Sequence, residues 1–368
     1  MPERIFVAKI GSNSLVDKDG RLDAPFLKEL AGQIARAAAD GWQPVIVTSG
    51  AVAGGVARLG LTDRPPGLPE RQALAAIGQI GLIHRWEAAF AAHGITTAQL
   101  LLTHGDFSDR ERNQNLTATV RALFAFGAVP VINENDPIAT QELTVGDNDH
   151  LSALVASQLG AELVVLLTDI DGVYDADPRA NPTAKRLREI PAVTAAVLAA
   201  AGGAGARGRG GMRSKIEGAR LAAASGVATV IAAARERQVI TRALAGEDVG
   251  TRVLARGDRV DARRRWLAVA RRVKGRVHVD AGAVAALTQR GTSLLPAGIV
   301  RVEGEFAVGD TVGVIGPDGL EVARGLASIA SGELERVAGK KTAAAATALG
   351  HALPKAALHR DDLLILAR

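Results

Sequence analysis

The sequence predicts two units: a three-layer αβα sandwich with a mainly parallel sheet, followed by a small, mostly β, barrel-like domain. Up to about residue 250, apolar strand-like runs alternate with amphipathic helical runs, which is the pattern of a parallel sheet covered on both faces. Beyond residue 275, short β-branched runs alternate with turn sequences, as in small β domains. The 368 residues, 48% of them apolar, suffice for two packed cores.

The elements of the first unit follow from periodicity and helix-end signals. Asp23 is a candidate cap for a helix whose first turn tolerates Pro25. A further helix is expected to start near Asp149. Strands are predicted over 5–10, 45–47, 95–102, 128–132, 163–167 and 227–232, and helices over 24–40, 69–92, 109–126 and 212–225.

Composition excludes several classes of protein. The chain has no cysteine, so disulfides, a cysteine nucleophile and thiolate metal sites are absent. Apolar runs stay short of the ~18 residues that a membrane span requires. Charged residues at the N-terminus argue against a signal peptide. We therefore expect a soluble, cytoplasmic protein without a membrane segment.

Positive charge is concentrated at the junction of the two predicted units. Residues 252–276 hold ten basic residues against Asp258 and Asp261, a net charge of +8, which leaves −3 for the rest of a chain whose total is +5. Two interpretations remain open: a solvated linker that pairs with the mildly acidic first unit, or a contact surface for nucleic-acid phosphates. The segment contains a single aromatic residue, Trp266, and stacking residues are expected of a single-strand binder, so we favour the linker.

An acidic segment follows the predicted strand 128–132. Residues 133–149 carry five carboxylates and no basic residue. Carboxylates that emerge together from a buried strand repel one another and need a cation, which is a metal, an ammonium group or a lysine from elsewhere in the fold. The alternative is an acidic surface hairpin. The five carboxylates are Glu134, Asp136, Glu142, Asp147 and Asp149.

Four motifs follow predicted strands, and in open parallel sheets the ligand crevice lies at the carboxyl ends of the strands. These motifs are residues 9–12, 48–51, 133–136 and 168–169. Gly11 and Gly50 would let backbone amides approach a phosphate. Lys9 ends a buried strand, where an unpaired ammonium group is costly. A second glycine-rich stretch, 202–211, leads into a helix with Lys215. Glycine loops, two lysines and organised carboxylates are the parts that phosphoryl transfer needs.

Two other pattern matches are rejected because of their sequence context, and two common motifs are absent. Residues 203–208 satisfy G-x-G-x-x-G but follow an alanine-rich helix rather than a strand, so a dinucleotide site is not indicated. Residues 359–361 mimic a protein-kinase catalytic loop without its downstream asparagine. The chain contains no Walker A sequence and no metal-type histidine pair.

Together the motifs resemble the glutamate 5-kinase family of the amino-acid kinase superfamily. The resemblance rests on VAKIGSNSL (7–15), VTSGAVAGG (47–55), PVINENDPIAT (130–140), VGDNDHLSA (145–153), LLTDIDGVYDADPRANP (166–182) and GGMRSK (210–215). TSLLPAGI (292–299) is similar to part of the PUA domain that many such kinases carry.

The resemblance implies that ATP and L-glutamate give L-glutamyl 5-phosphate, the first step toward proline, with Mg²⁺ bridging phosphate oxygens and no dedicated protein metal site. Lys9 and Lys215 would neutralise the transferring phosphoryl group, and Asp149 would hold both lysines. Ser49, Asp136 and Asn148 would bind glutamate, with Asp136 suited to its α-ammonium group. The nucleotide would contact Lys9, Gly11, Thr168, Asp169, Arg209, Gly210, Gly211, Met212, Arg213, Ser214 and Lys215.

The family nucleotide loop usually has threonines where this chain has Arg209 and Ser214, so its contacts at Arg209 are left open. Two alternatives to glutamate phosphorylation remain: another amino-acid kinase, with acetylglutamate or aspartate as acceptor, and an RNA-binding PUA protein. The family also implies a homo-oligomer (dimer or tetramer) and proline as feedback inhibitor. The predicted divisions are a catalytic domain over 1–252, a basic linker over 253–273, a PUA domain over 274–352 and a C-terminal tail over 353–368.

Overall fold

The computed structural model describes two compact units, the first built mainly from residues up to 255 and the second mainly from later residues. The described residues are 3–17, 20–107, 109–139, 148–178, 181–201, 211–255, 273–340, 344, 347, 354 and 356–366. Glu142, Asp147, Arg209, Gly210 and most of the basic linker lie outside these ranges.

The first unit contains an eight-stranded sheet. Its strands are β1 (Arg4–Ile10), β2 (Trp42–Val47), β3 (Thr97–Leu102), β4 (Val129–Glu134), β5 (Leu163–Thr168), β6 (Glu189–Ile190), β7 (Ala228–Ala233) and β8 (Gly250–Val253). They run in the order β3-β4-β2-β1-β5-β7-β8-β6, and every neighbouring pair is parallel except β7 and β8. The prediction of a mainly parallel sheet is confirmed. Val253, which the sequence analysis placed in the linker, pairs with Thr229 and belongs to this sheet.

The described part of the chain before residue 250 contains nine α-helices. They are α1 (Ser12–Leu15), α2 (Ala24–Ala39), α3 (Ala51–Leu59), α4 (Leu68–Ala91), α5 (Arg110–Ala125), α6 (Asn148–Leu159), α7 (Ala195–Ala200), α8 (Met212–Ala224) and α9 (Val239–Leu244). The predicted helices and strands lie within about three residues of the observed ends. Asp23 caps α2 as expected, because its carboxylate accepts a hydrogen bond from the amide of Phe26.

Helix α3 was not predicted from the sequence, because Gly54 and Gly55 lower its helix propensity. Close packing against α4 explains these glycines. A Cβ atom on Gly55 would overlap the backbone of Leu74, and one on Gly78 would overlap the carbonyl oxygen of Ala51. Helices α3 and α4 therefore approach each other backbone to backbone, which places the start of α3 beside the middle of α4.

The second unit contains a five-stranded sheet in the order β10-β9-β11-β12-β13. Its strands are β9 (Val273–Val279), β10 (Ile299–Glu303), β11 (Thr311–Ile315), β12 (Glu321–Ala327) and β13 (Leu358–Ile365), with helices at Ala281–Arg290 and Ser331–Val337. The prediction of a small, mostly β domain is confirmed. The prediction of a separate C-terminal tail over 353–368 is wrong for residues 358–365. Strand β13 pairs with β12 and buries Leu358 and Leu363 in the core of this unit.

The described part of the chain contains no helix that is both long and apolar enough to cross a membrane.

Candidate active site

The motifs that follow predicted strands meet at one edge of the first sheet. Lys9, near the end of β1, pairs with Val47 on β2 and with Leu166 on β5. On the next strand, β4, Ile132 pairs with Val47. The parallel register therefore brings the carboxyl ends of these four central strands to one level, and the loops that leave them form a common site.

The centre of this site is a carboxylate between two lysines. Asp149, in the first turn of α6, lies with Oδ1 2.5 Å from Nζ of Lys9 and with Oδ2 3.4 Å from Nζ of Lys215. The side chain of Asp149 is 0% exposed, and Lys9 and Lys215 are 3% and 6% exposed. These three groups are called the lysine–aspartate triad below. Their charges sum to +1 in a buried place, which favours an additional anion beside them.

Helix α8 reaches this triad by a close approach to α6. A Cβ atom on Gly218 would lie 3.0 Å from the carbonyl oxygen of Asp149 and 3.2 Å from its carbonyl carbon. Gly218 is one helical turn after Lys215, so the contact sets how far the Lys215 side chain must extend to Asp149. The hydroxyl of Ser152 donates to the same carbonyl oxygen at 2.6 Å and stabilises the first turn of α6.

Neutral polar side chains form a second group next to the triad. The amide Nδ2 of Asn148 donates to Oγ of Ser49 at 3.0 Å and to Oδ1 of Asn133 at 3.1 Å. Asn133 donates in turn from Nδ2 to Oε1 of Gln79 at 2.8 Å. Because Asn148 is adjacent in sequence to Asp149, this group and the triad are directly connected.

Asp136 begins the 3-10 turn Asp136–Ile138 that follows β4. Burial raises the pKa of this carboxyl above its ordinary value of 3.8, and the charge of Arg64 partly offsets the effect. Asp136 lines a cavity of about 470 Å³. The other residues that line this cavity are Ala51, Ala75, Ala76, Gln79, Ile80, Ile83, Gln99, Leu101, Glu134 and Pro137.

The predicted nucleotide residues are only partly described. Thr168 ends β5, is buried, and donates from Oγ1 to Oδ1 of the exposed Asp169 at 2.9 Å. Gly211 precedes α8, whose first four residues are Met212, Arg213, Ser214 and Lys215. Arg213 points to Glu217, with Nε 3.0 Å from Oε1. The amino terminus of α8 carries a positive partial charge that favours phosphate.

Gly11 differs from the sequence expectation in one respect. Its amide donates to the carbonyl oxygen of Leu167 at 3.2 Å, so this N–H group already has a backbone acceptor. A Cβ atom on Gly11 would lie 3.9 Å from Nζ of Lys9. A small side chain would therefore fit at this position in ordinary contact with the lysine.

Two histidines near the site were not predicted. His104 follows β3, and His150 lies in the first turn of α6. Burial, together with the neighbouring His150, lowers the pKa of His104 from 6.5 to about 4, so His104 is neutral at pH 7. Gln79 was also missed, although a signal existed: it is the single polar side chain within the helical run 73–83.

Comparison with known proteins identifies the family of this chain. The sequence model of the amino acid kinase family matches residues 4–233, and that of the PUA domain matches residues 275–349. Glutamate 5-kinase of Burkholderia cenocepacia (strain HI2424) is 47% identical over 362 residues, which cover 98% of this chain and 97% of that protein. Glutamate 5-kinase of Cupriavidus metallidurans is 46% identical over 362 residues, which again cover 98% of this chain and 97% of that protein.

Among solved structures, carbamate kinase from Giardia lamblia bound to AMP-PNP superimposes with a TM-score of 0.50 at 16% identity, covering 69% of this chain and 99% of that one. This likeness concerns the fold alone. The sequence matches, which extend over nearly the full length, confirm the resemblance found in the motifs. The chain belongs to the amino acid kinase family, in the branch of the glutamate 5-kinases, and it carries a PUA domain after its kinase region.

Proposed function

We propose that this protein transfers the γ-phosphoryl group of ATP to the side-chain carboxylate of L-glutamate, giving L-glutamyl 5-phosphate, the first step toward proline. The observation that carries the proposal is the buried lysine–aspartate triad, which holds two ammonium groups beside a cluster of amide and hydroxyl side chains. The similarity to relatives named glutamate 5-kinase supports the choice of acceptor.

In this proposal Lys9 and Lys215 contact the transferring phosphoryl group from two sides, and Asp149 keeps both ammonium groups in position. Phosphoryl transfer depends on positioning and on neutralisation of charge rather than on covalent chemistry by the protein. A general base is unnecessary, since the attacking carboxylate is already ionised at pH 7. Burial strengthens the electrostatic effect of both lysines on the charge that develops in the transition state.

Substrate binding falls to the side chains beside the triad. Ser49, Asn148 and Asp136 would hold glutamate, with Asp136 opposite the α-ammonium group. The raised pKa of Asp136 fits this role, because an ammonium ligand stabilises the ionised form of a carboxyl that burial disfavours. Thr168, Asp169 and the residues 209–215 would contact the nucleotide.

Magnesium is expected to accompany ATP. Within the described ranges, no group of three or more histidine, aspartate or glutamate side chains is placed to hold a metal ion. Proteins commonly bind Mg²⁺ through one or two carboxylates together with substrate phosphates. When bound, the ion would neutralise negative charge on the phosphate oxygens, and Asp169, exposed at the end of β5, is the carboxylate that we assign to it.

A hydroxylamine trap tests the proposal, because it converts an acyl phosphate into a detectable hydroxamate. Full-length protein with ATP and Mg²⁺ should form hydroxamate from L-glutamate, and much less from L-aspartate or N-acetyl-L-glutamate at equal concentration. Equal or better turnover of either alternative acceptor would contradict the assignment. The same assay with added L-proline tests feedback inhibition, and light scattering tests the proposed homo-oligomer.

A further inference from the structure

A chain of hydrogen bonds with a defined direction runs through the neutral part of the site. It starts at the backbone amide of Glu134, which donates to Oδ1 of Asn133 at 2.9 Å. A backbone N–H group can only donate, so the side-chain atom that faces it must be the carbonyl oxygen. This contact therefore determines the orientation of the Asn133 amide.

The orientation of Asn133 determines its other contacts. With Oδ1 toward Glu134, Nδ2 lies toward Gln79 and donates to Oε1 at 2.8 Å. Oδ1 has a second lone pair and accepts from Nδ2 of Asn148 at 3.1 Å. Asn133 is 2% exposed, so water does not replace these partners readily, and Gln79 keeps the amide from rotating.

The orientation of the Asn133 amide determines that of the Asn148 amide. Its Nδ2 donates both hydrogens, one to Asn133 and one to Oγ of Ser49. Its Oδ1 is buried and has no hydrogen-bond partner among the residues that the structure describes. A buried acceptor without a partner is costly, and in native proteins such an atom usually has a ligand or water as its partner.

We propose that Gln79 and Asn133 are positioning residues that lock the Asn148 amide with its oxygen available to the substrate, so that Asn148 recognises a hydrogen-bond donor, the α-ammonium group of the amino acid, and not a carboxylate. This inference rests on the proposed function. The opposite orientation of the amide would offer an NH₂ group, which suits the α-carboxylate.

Three carboxylic acids, tested as substrates, distinguish the two orientations of the Asn148 amide. L-glutamate has both α-groups, glutarate lacks the ammonium group, and 4-aminobutyrate lacks the α-carboxylate. A hydrogen bond between an ammonium group and a fixed acceptor corresponds to about tenfold or more in affinity. We expect wild-type protein to use glutarate at least about tenfold less well than glutamate, as kcat/KM in the hydroxamate assay and as affinity by calorimetry.

The positioning variants are Gln79→Leu and Asn133→Leu. Each should lower the glutamate-to-glutarate ratio by at least about threefold, mainly through a higher KM for glutamate, and leave the glutamate-to-aminobutyrate ratio unchanged. Gln79→Glu keeps an acceptor for Nδ2 of Asn133 and should retain the wild-type ratios. Gln99→Leu is the matched control, since Gln99 lines the same cavity but takes no part in the chain of hydrogen bonds; it should leave both ratios unchanged.

Unchanged glutarate ratios in both leucine variants would overturn the inference, as would a change confined to the aminobutyrate ratio. Should Asn133→Leu fail to fold, Gln79→Leu decides alone, because Gln79 is only half-buried. A wild-type protein that neither binds nor phosphorylates glutamate would overturn the proposed function and this inference with it, whereas normal wild-type turnover with unchanged variant ratios overturns the inference alone.

Discussion

Oδ1 of Asp149 lies 2.5 Å from Nζ of Lys9, and both side chains are almost completely buried. Breaking a buried ion pair by removing one partner leaves an uncompensated charge and costs about 3–5 kcal/mol. Lys215 approaches the other carboxylate oxygen at 3.4 Å. The pair of Lys9 and Asp149 is neutral by itself, so the protein can lose the charge of Lys215 and still retain a balanced pair.

Lys215→Ala should therefore fold normally and lose catalysis. A charge contact made mainly in the transition state contributes roughly 3–4 kcal/mol, so kcat should fall by about 10²–10³ while the KM for glutamate changes little. Steady-state kinetics with the hydroxamate assay measures both constants. Lys28→Ala, at an exposed lysine on α2, is the control and should keep the wild-type kcat. A Lys215→Ala enzyme with normal kcat would remove this residue from the mechanism.

The raised pKa of Asp136 leads us to expect that glutamate binding depends on pH. Its pKa is raised in the folded protein, so the folded state holds this proton more tightly than the unfolded chain does. The contribution of that proton to stability is lost as the pH rises through the folded pKa. An ammonium ligand favours the ionised form. The KM for glutamate should therefore rise as the pH falls from 7 toward the pKa of Asp136, which lies above 3.8.

Asp136→Asn checks this prediction. It removes the titrating group, so its KM should be higher at pH 7 and should vary less with pH than that of the wild type. KM measured at several pH values for both proteins decides the point. A normal KM in the Asp136→Asn variant would show that this carboxylate does not bind the ammonium group.

Gly218→Ala should lower activity without touching any ligand. The added methyl group would lie 3.0 Å from the carbonyl oxygen of Asp149, so α8 or α6 must shift by a few tenths of an ångström. Because Lys215 reaches Asp149 from one turn earlier on α8, we expect a fall in kcat of about tenfold with a smaller change in KM. Equal kinetics in Gly218→Ala and wild type would show that the helix contact does not set the position of Lys215.

Alanine substitution at two glycines of α4 should change the free energy of unfolding in opposite directions. A Cβ atom on Gly78 would overlap the backbone of α3, whereas one on Gly81 meets no atom within 4 Å. Gly78→Ala should lower the free energy of unfolding by about 1–3 kcal/mol through overpacking. Gly81→Ala should raise it by about 0.5–1 kcal/mol, because alanine is the better helix former. Urea unfolding measures both, and destabilisation by both variants to the same extent would contradict the packing argument.

The first unit should suffice for catalysis. Every residue assigned to chemistry precedes Gly250, and β8 completes the first sheet at Val253, so a fragment 1–255 keeps the sheet intact while 1–252 would cut its last strand. We expect fragment 1–255 to form hydroxamate with a kcat within about tenfold of the full-length value, since the triad is complete within it. A folded but inactive fragment, judged by circular dichroism, would contradict the modular arrangement.

RNA binding by the full-length protein is the matching test of the C-terminal part. An electrostatic contact would weaken steeply with salt, with a log–log slope near −0.7 to −0.9 for each phosphate contact. Fragment 1–255 lacks most of the basic segment and should show little affinity. Tight, sequence-selective binding near physiological salt by the full-length protein would favour the nucleic-acid interpretation of that segment over the linker.

The sequence by itself determined the two-unit architecture, most helices and strands, and the presence of the triad residues. Local periodicity and helix-end residues such as Asp23 carry that information, because burial on one face and capping depend on nearby positions. The meeting of the segments that begin at Lys9, Thr48 and Asn133 also followed from the sequence, since strand ends of a parallel sheet meet at one edge. The pairing of Lys9 with Asp149 was implied only by the family resemblance.

Only the tertiary structure decided the remaining features. Helix α3 forms although Gly54 and Gly55 disfavour it, because its backbone packs against α4. Strand β13 joins the second sheet through pairing with β12, which no local pattern specifies. The direction of the hydrogen bonds from Glu134 through Asn133 to Asn148 depends on three segments meeting in space. Contacts between residues distant in sequence settle each of these points, and periodicity along the chain does not record them.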